Sequence, residues 1–389
     1  MTEDSLAESI ISTDISGRLV LIAPDCFGGT LTATEAAEAI ARGWRLGSPA
    51  DRLLLRPLAD GGPGFVDVLH TALGGELHTV EVTGPLGEPV TAEWLAHDGT
   101  AYIESAQAAG LHLVPKADRP AGLTTTRGVG ELLLDAVRAG MHTAVVGLGG
   151  SATTDGGAGL FAALGAGPVD TLGAPLPEGG AALADCAGLA GRPDLGALRL
   201  IAASDVDNPL LGPTGAAHVF GPQKGANPDQ VEQLDRALTR WSEVLQEELG
   251  VEVAGLAAAG AAGGLGAALL ALGATVDSGA DLVRRLSALD EALDAAGLVL
   301  TGEGSFDWQS LRGKLVSRVA AGAAERGVPC LVLAGQVSVG RREAGAAGVE
   351  DSYSVADHVG SVARAIAEPA GGLSGLAERV ARQWRSPQN

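Results

Sequence analysis

Short apolar runs in this chain repeatedly end in an acid and a glycine, and each then gives way to helical spacing. "RLVLIAPD" is followed by "TATEAAEAIARGW", where Thr32 and Glu35 have capping-box spacing and Ala36, Ile40 and Trp44 share a face. "LLLRPLADGG" precedes "FVDVLHTALGG", with Phe65, Leu69 and Leu73 in line. "ELLLDAVRAG" reads as a helix ended by Gly140, and "HTAVVGLGG" as a buried strand. "LRLIAASD" and "AGLVLTGEG" are further strands, and "LVSRVAAGAAERG" is a helix leading into "VPCLVLAGQ". Strands alternating with helices predict an α/β fold with a largely parallel sheet. One segment breaks the rule: "LHTVEVTGPLGEPVTAEWLA" predicts two antiparallel strands around a Gly-Pro-Leu-Gly turn, where the chain leaves its first domain.

A length of 389 residues predicts two domains. Aromatics are only 3% against 46% apolar and 58 glycines, so the cores must be Ala, Leu and Val on helices packed closely on sheets. The net charge of −21 repels nucleic acid and anionic membrane, so neither is an expected partner. An anionic substrate would need a local positive centre, and the three lysines are Lys116, Lys224 and Lys314, the last two beside glycine. Cys26, Cys186 and Cys330 lie far apart without zinc spacing, which predicts a reduced, cytoplasmic setting. Residues 1–17 are acidic and polar and read as a disordered tail, not a signal peptide. The uncharged stretch Ala254–Val276 is rich in Ala and Gly, and reads as a buried segment or glycine-rich loop.

In open α/β sheets, ligands bind outside the carboxyl ends of the strands. Asp25, Asp60, Asp155, Asp205, Asp207, Glu303 and Asp307 each follow a predicted strand within a few residues. Any one of them alone reads as a turn or a helix cap. Converging, they can hold Mg²⁺ and take a proton from a hydroxyl. "GLGGSATTDGGAG" offers backbone N–H groups for phosphate oxygens, with Ser151, Thr153 and Thr154 as hydroxyl donors. It is neither a P-loop nor a dinucleotide fingerprint. "AAAGAAGGLG" (257–266) is a second glycine loop, suited either to ligand contact or to close helix packing. Lys224 in "FGPQKGA", and Arg312 and Lys314 in "LRGKL", are the candidate cations. The seven histidines show no HExxH or triad spacing. Acids, glycine loops and few cations together point to phosphoryl transfer, which works by positioning and charge neutralisation.

The ordered motifs "APDCFGGTL", "ADGGPG", "VTGPLGEPV", "GLGGSATTDGGAG", "SDVDNPLLGP", "FGPQKGA", "GAAGGLGA" and "TGEGSFDWQSLRGK" resemble the bacterial glycerate kinase family, the type that makes 2-phosphoglycerate. The resemblance implies a flavodoxin-like parallel-sheet domain from both chain ends (18–85 with 290–389) and an inserted α/β domain (86–289), with the active site in the cleft. It implies ATP as donor, Mg²⁺, and D-glycerate or a close small hydroxy acid as acceptor; a homodimer is a possible assembly. At the positions that match the family pattern, we expect Asp205 or Asp307 to be the base for the glycerate hydroxyl, with Arg312 and Lys224 meeting carboxylate and phosphate charges. Asp60, Asp155, Asp207 and Glu303 are expected at the metal. Gly149, Gly150, Ser151, Thr153, Gly263 and Gly264 are expected at the nucleotide, and Asp25, Asn208 and Gln309 at the substrate. The chain departs from the family pattern where Cys26 and Gly28 stand for serine and lysine, Pro63 for glutamate, and Ala257-Ala258-Ala259-Gly260 for P-G-A-G. These departures leave open a weakly catalytic homologue that senses a carboxylate metabolite. A nicotinamide oxidoreductase is disfavoured, because GxGxxG is missing.

Overall fold

The run "LVLI" forms the strand Leu19–Ile22, an interior strand of a five-stranded sheet, with Val20, Leu21 and Ile22 fully buried. The computed structural model describes residues 17–116, 119–312 and 314–385; the expected tail lies outside them, apart from Gly17. The chain divides into two units, one of residues 1–59 with 283–389 and one of residues 60–282.

In the first unit the sheet order is Asp351–Ser354, Cys330–Ala334, Leu298–Thr301, Leu19–Ile22, Arg52–Leu55, all parallel. Numbered along this unit, that is the 2-1-3-4-5 order of doubly wound flavodoxin-like sheets. The helix Ala33–Gly47 starts at the expected capping box: Glu35 N–H donates to Thr32 Oγ1 (3.1 Å) and Thr32 N–H to Glu35 Oε2 (2.8 Å). Its Ala36, Ile40 and Trp44 are fully buried. Gly43 has to be glycine, because a Cβ there would lie 1.9 Å from the Ser374 carbonyl oxygen of the helix Pro369–Gln383. Arg18 ties the two chain ends together, donating to Asp51 Oδ2 and to the Trp384 carbonyl, both at 2.8 Å.

The second unit's sheet runs Thr275–Asp277, Arg199–Ala203, Thr143–Gly147, Thr100–Glu104, Pro89–His97, Glu76–Thr83. The first four strands are parallel and the last two are the expected antiparallel hairpin. Its turn closes by Gly84 N–H to the Glu88 carbonyl at 2.7 Å, with Gly87 at φ +89°. The expected exit at residue 85 lies inside this hairpin, where Thr83 pairs with Pro89; the chain enters the second unit at Asp60 and leaves it after Leu282. Within 254–276 the helix Leu265–Ala271 is buried except at Leu270. No helix among the described residues is long and apolar enough to cross a membrane. Aromatics are scarce, and two of them anchor this core: the Phe161 and Trp241 rings meet edge to face at 5.6 Å, and Trp241 Nε1–H reaches the Gly156 carbonyl (2.9 Å).

Candidate active-site pocket

In the first unit, the strand order reverses between Leu19–Ile22 and Leu298–Thr301, and the loops leaving these two strands diverge there. Asp25 comes from one loop, and Glu303 and Asp307 from the other. With Lys314 they line the polar side of a pocket of about 460 Å³. Glu303 is only 7% exposed, and its Oε1 has no hydrogen-bond partner among the described residues. Burial pushes its carboxyl above the usual glutamate range; the Ser310 hydroxyl and Lys314 oppose this, and Asp307 adds to it. Asp307 Oδ1 accepts from Gln309 N–H (2.8 Å) and Ser310 N–H (3.4 Å), which fixes the turn. No hydrogen bond from a described residue reaches its Oδ2. Gln309 enters this turn through its backbone N–H, and Arg312 lies 4.5 Å over the exposed Trp308 ring. Asp25 Oδ1 accepts from the Cys26 N–H at 2.7 Å. Gly28 has φ +43° and open space where a Cβ would stand, so the residue replacing the family's lysine sits in a left-handed turn.

The second unit gives its motif residues different work. Asp155 is fully buried, and its carboxylate accepts from Thr126 N–H and Oγ1 (both 2.8 Å), Gly157 N–H (3.1 Å) and Gly159 N–H (3.2 Å). This acid, expected at the metal, has its lone pairs engaged at the start of the helix Ala158–Ala163. Asp205 accepts from Ser278 Oγ (2.5 Å) and Ala280 N–H (3.0 Å), at the start of the helix Gly279–Leu286. Asp60 accepts from Gly62 N–H (3.1 Å), and Asn208 donates to the Thr214 carbonyl (2.8 Å). Asp207 is exposed and makes no side-chain bond among the described residues. No group of three or more His, Cys, Asp or Glu stands at metal-holding distance among the described residues.

The two glycine loops pack on each other. Lys224 is buried inside the joint, donating to Ser151 Oγ (2.9 Å) and to the Thr153 carbonyl (2.5 Å). Burial lowers its pKa to about 7, against the pull of Asp155. Thr153 is fully buried, and a Cβ on Gly263 would lie 1.8 Å from its carbonyl oxygen. One on Gly264 would lie 2.7 Å from Gly156 Cα, so close packing explains both glycines. Gly149 packs on Gly62, and the exposed Gly150 on the Pro63 ring. Ala258, where the family pattern has glycine, is held at φ +64°.

A carboxylate that the sequence reading missed lies beside this loop. Glu104 ends "AYIE", another apolar run closed by an acid, and is 4% exposed. Its Oε2 accepts from Gly64 N–H (3.0 Å), and Phe65 and Val66 N–H also point to it, so it caps the helix Phe65–Leu73 from another strand. Burial raises its pKa to about 7 although those donors oppose the shift. A carboxyl with a raised folded pKa favours the folded state fully below the unfolded value, and loses that contribution as pH rises through the folded one. Stability should therefore fall between about pH 4.5 and 7 by up to about 3 kcal/mol from this group alone. Urea melts of Glu104→Gln should show a flatter slope across that window; an unchanged slope would contradict the assignment.

Compared with known proteins, residues 20–385 match the model of the glycerate kinase family. A glycerate 2-kinase of Escherichia coli (strain K12) is 41% identical over 88% of this chain and 92% of its own. A glycerate kinase of Halalkalibacterium halodurans is 41% identical over 93% and 97%. A Salmonella typhimurium LT2 crystal structure assigned as glycerate kinase 2 superposes with TM-score 0.78 at 40% identity, covering 94% of this chain and 98% of that one.

Proposed function

The chain belongs to the glycerate kinase family, and from that premise we propose that it transfers the γ-phosphoryl group of ATP to D-glycerate, giving 2-phosphoglycerate. The observation that carries this reading is the switch-point pocket, where Asp25 from one motif and Glu303, Asp307 and Lys314 from another nearly 280 residues away share one cavity. The hydroxyl proton passes to a carboxylate as the hydroxyl oxygen bonds phosphorus, and the bond from phosphorus to the bridging oxygen breaks to release ADP. Of the two acids expected as base, Asp307 lines the pocket and keeps Oδ2 outside its turn. Asp205 already has both oxygens engaged at a helix start, which leaves neither of them turned to a substrate hydroxyl. Lys314 faces the anionic end of a substrate across the same cavity.

The donor set suits Mg²⁺. The orphaned Glu303 Oε1 is a hard oxygen in a buried site, and this ion needs only one or two carboxylates when phosphates complete its shell. When bound, it would neutralise charge on the transferring phosphoryl group. Asp60 and Asp207, two further acids expected at the metal, are exposed carboxylates of the second unit. Lys224 serves by positioning: its two hydrogen bonds fix Ser151 and Thr153 in the glycine loop.

ADP release with ATP, Mg²⁺ and a panel of small hydroxy acids tests the reading. D-glycerate should give turnover that stops on chelation. If D-glycerate raised the melting temperature but no acid released ADP, the chain would be a carboxylate sensor instead.

A further inference from the structure

The pocket that holds Glu303 and Asp307 has a second side the phosphoryl chemistry does not use. Val355, Val362, Ala365, Ile366 and Pro369 form it. Val362 and Ile366 stand one turn apart on the helix Val362–Ala367 and are 40% and 59% exposed, while Ala365 between them is buried. Gln336 lines the same cavity, and its side-chain amide has no hydrogen-bond partner among the described residues.

We propose that this apolar wall with Gln336 is the subsite for the heteroaromatic base of the phosphoryl donor. The proposal rests on the kinase reading and adds the place and the residues of donor recognition. Glycerate has a carboxylate or a hydroxyl on every carbon, so an apolar wall offers it nothing. The cavity, about 460 Å³, is of the size that buries drug-sized ligands, and a three-carbon acid leaves most of it empty. Three carboxylates face one lysine on the polar side, which disfavours a second free anion there and leaves a neutral ring as the better occupant of the far side. A purine is flat, uncharged and apolar on both faces, with donors and acceptors only at its edge. The free Gln336 amide carries one acceptor and two donors and can pair with that edge. The switch point of a doubly wound sheet is also where nucleotides generally bind.

The test titrates ADP by calorimetry into the whole protein and its variants, and measures KM for ATP and for D-glycerate separately. Ile366 is exposed, so Ile366→Ala and Ile366→Glu should fold, as matching thermal melts would verify. Ile366→Glu should weaken ADP and raise KM for ATP by about tenfold, with KM for glycerate and kcat within about twofold. Ile366→Ala should move the same constants less. Gln336→Ala should change the ratio of KM for ATP to KM for GTP, which a bystander would not do. A rise in KM for glycerate with ATP constants unmoved would overturn the proposal by giving the wall to the acceptor. Unchanged ADP affinity in both Ile366 variants would also overturn it. If the wild type turned over no hydroxy acid, the kinase reading would fail, and the ADP titration would still decide the subsite.

Discussion

Asp307→Asn is expected to lower kcat by about 10²–10⁴-fold, the range that a positioned general base supplies. Asparagine keeps an oxygen where Oδ1 accepts from Gln309 and Ser310, so the turn survives. What is lost is a carboxylate oxygen facing the pocket, the only feature of Asp307 that the turn does not need. KM for both substrates should change little, and stability should stay within about 0.5 kcal/mol. Asp205→Asn supplies the contrast: asparagine caps helices nearly as well as aspartate, so its rate cost should stay below about tenfold. Steady-state kinetics on both variants decide between the two acids. Loss of turnover in Asp205→Asn with Asp307→Asn near wild type would reverse the assignment.

Asp155→Ala should be the most damaging change to stability among the motif acids, at about 3–5 kcal/mol. The side chain is fully buried, and removing it strands the Thr126 N–H and hydroxyl and the Gly157 and Gly159 N–H groups. Each stranded buried donor costs about 1–3 kcal/mol, and water admitted to the gap relieves part of the sum. Lys224 would also lose the negative charge that opposes the effect of its burial. The exposed Asp207 shares the same expected metal role by motif, yet Asp207→Ala should stay within about 0.5 kcal/mol. Urea denaturation of both separates a structural acid from one offered to solvent. Equal, small losses would show that Asp155 is not holding the loop.

What could be read directly from the chain was what local spacing decides. Thr32 with Glu35, the buried face of Ala36, Ile40 and Trp44, and the hairpin around Gly84 and Gly87 all depend on neighbours within a few residues. The placement of acids after strands was legible for the same reason. Their division of labour was not. Asp155 is spent on Thr126, 29 residues away, and Asp205 on Ser278, 73 away, so only the assembled fold shows which acid is a cap. Local sequence suits Gly263 and Gly264 equally to a ligand or to packing; in the fold Thr153 and Gly156 press against them. The boundary at Asp60 escaped because unit membership follows contacts such as Gly62 on Gly149, not the hairpin turn. The Val362 and Ile366 wall carries no motif; it becomes visible only once its helix borders the acids of a distant loop.

The claim under everything above is that a phosphoryl group moves from ATP to a glycerate hydroxyl. Phosphorus-31 NMR of the protein with ATP, Mg²⁺ and D-glycerate reads that transfer without coupling enzymes. The account predicts a single new phosphomonoester signal, that of 2-phosphoglycerate, growing in equal amount with ADP. ATP left intact, or ADP accompanied only by inorganic phosphate, would contradict it.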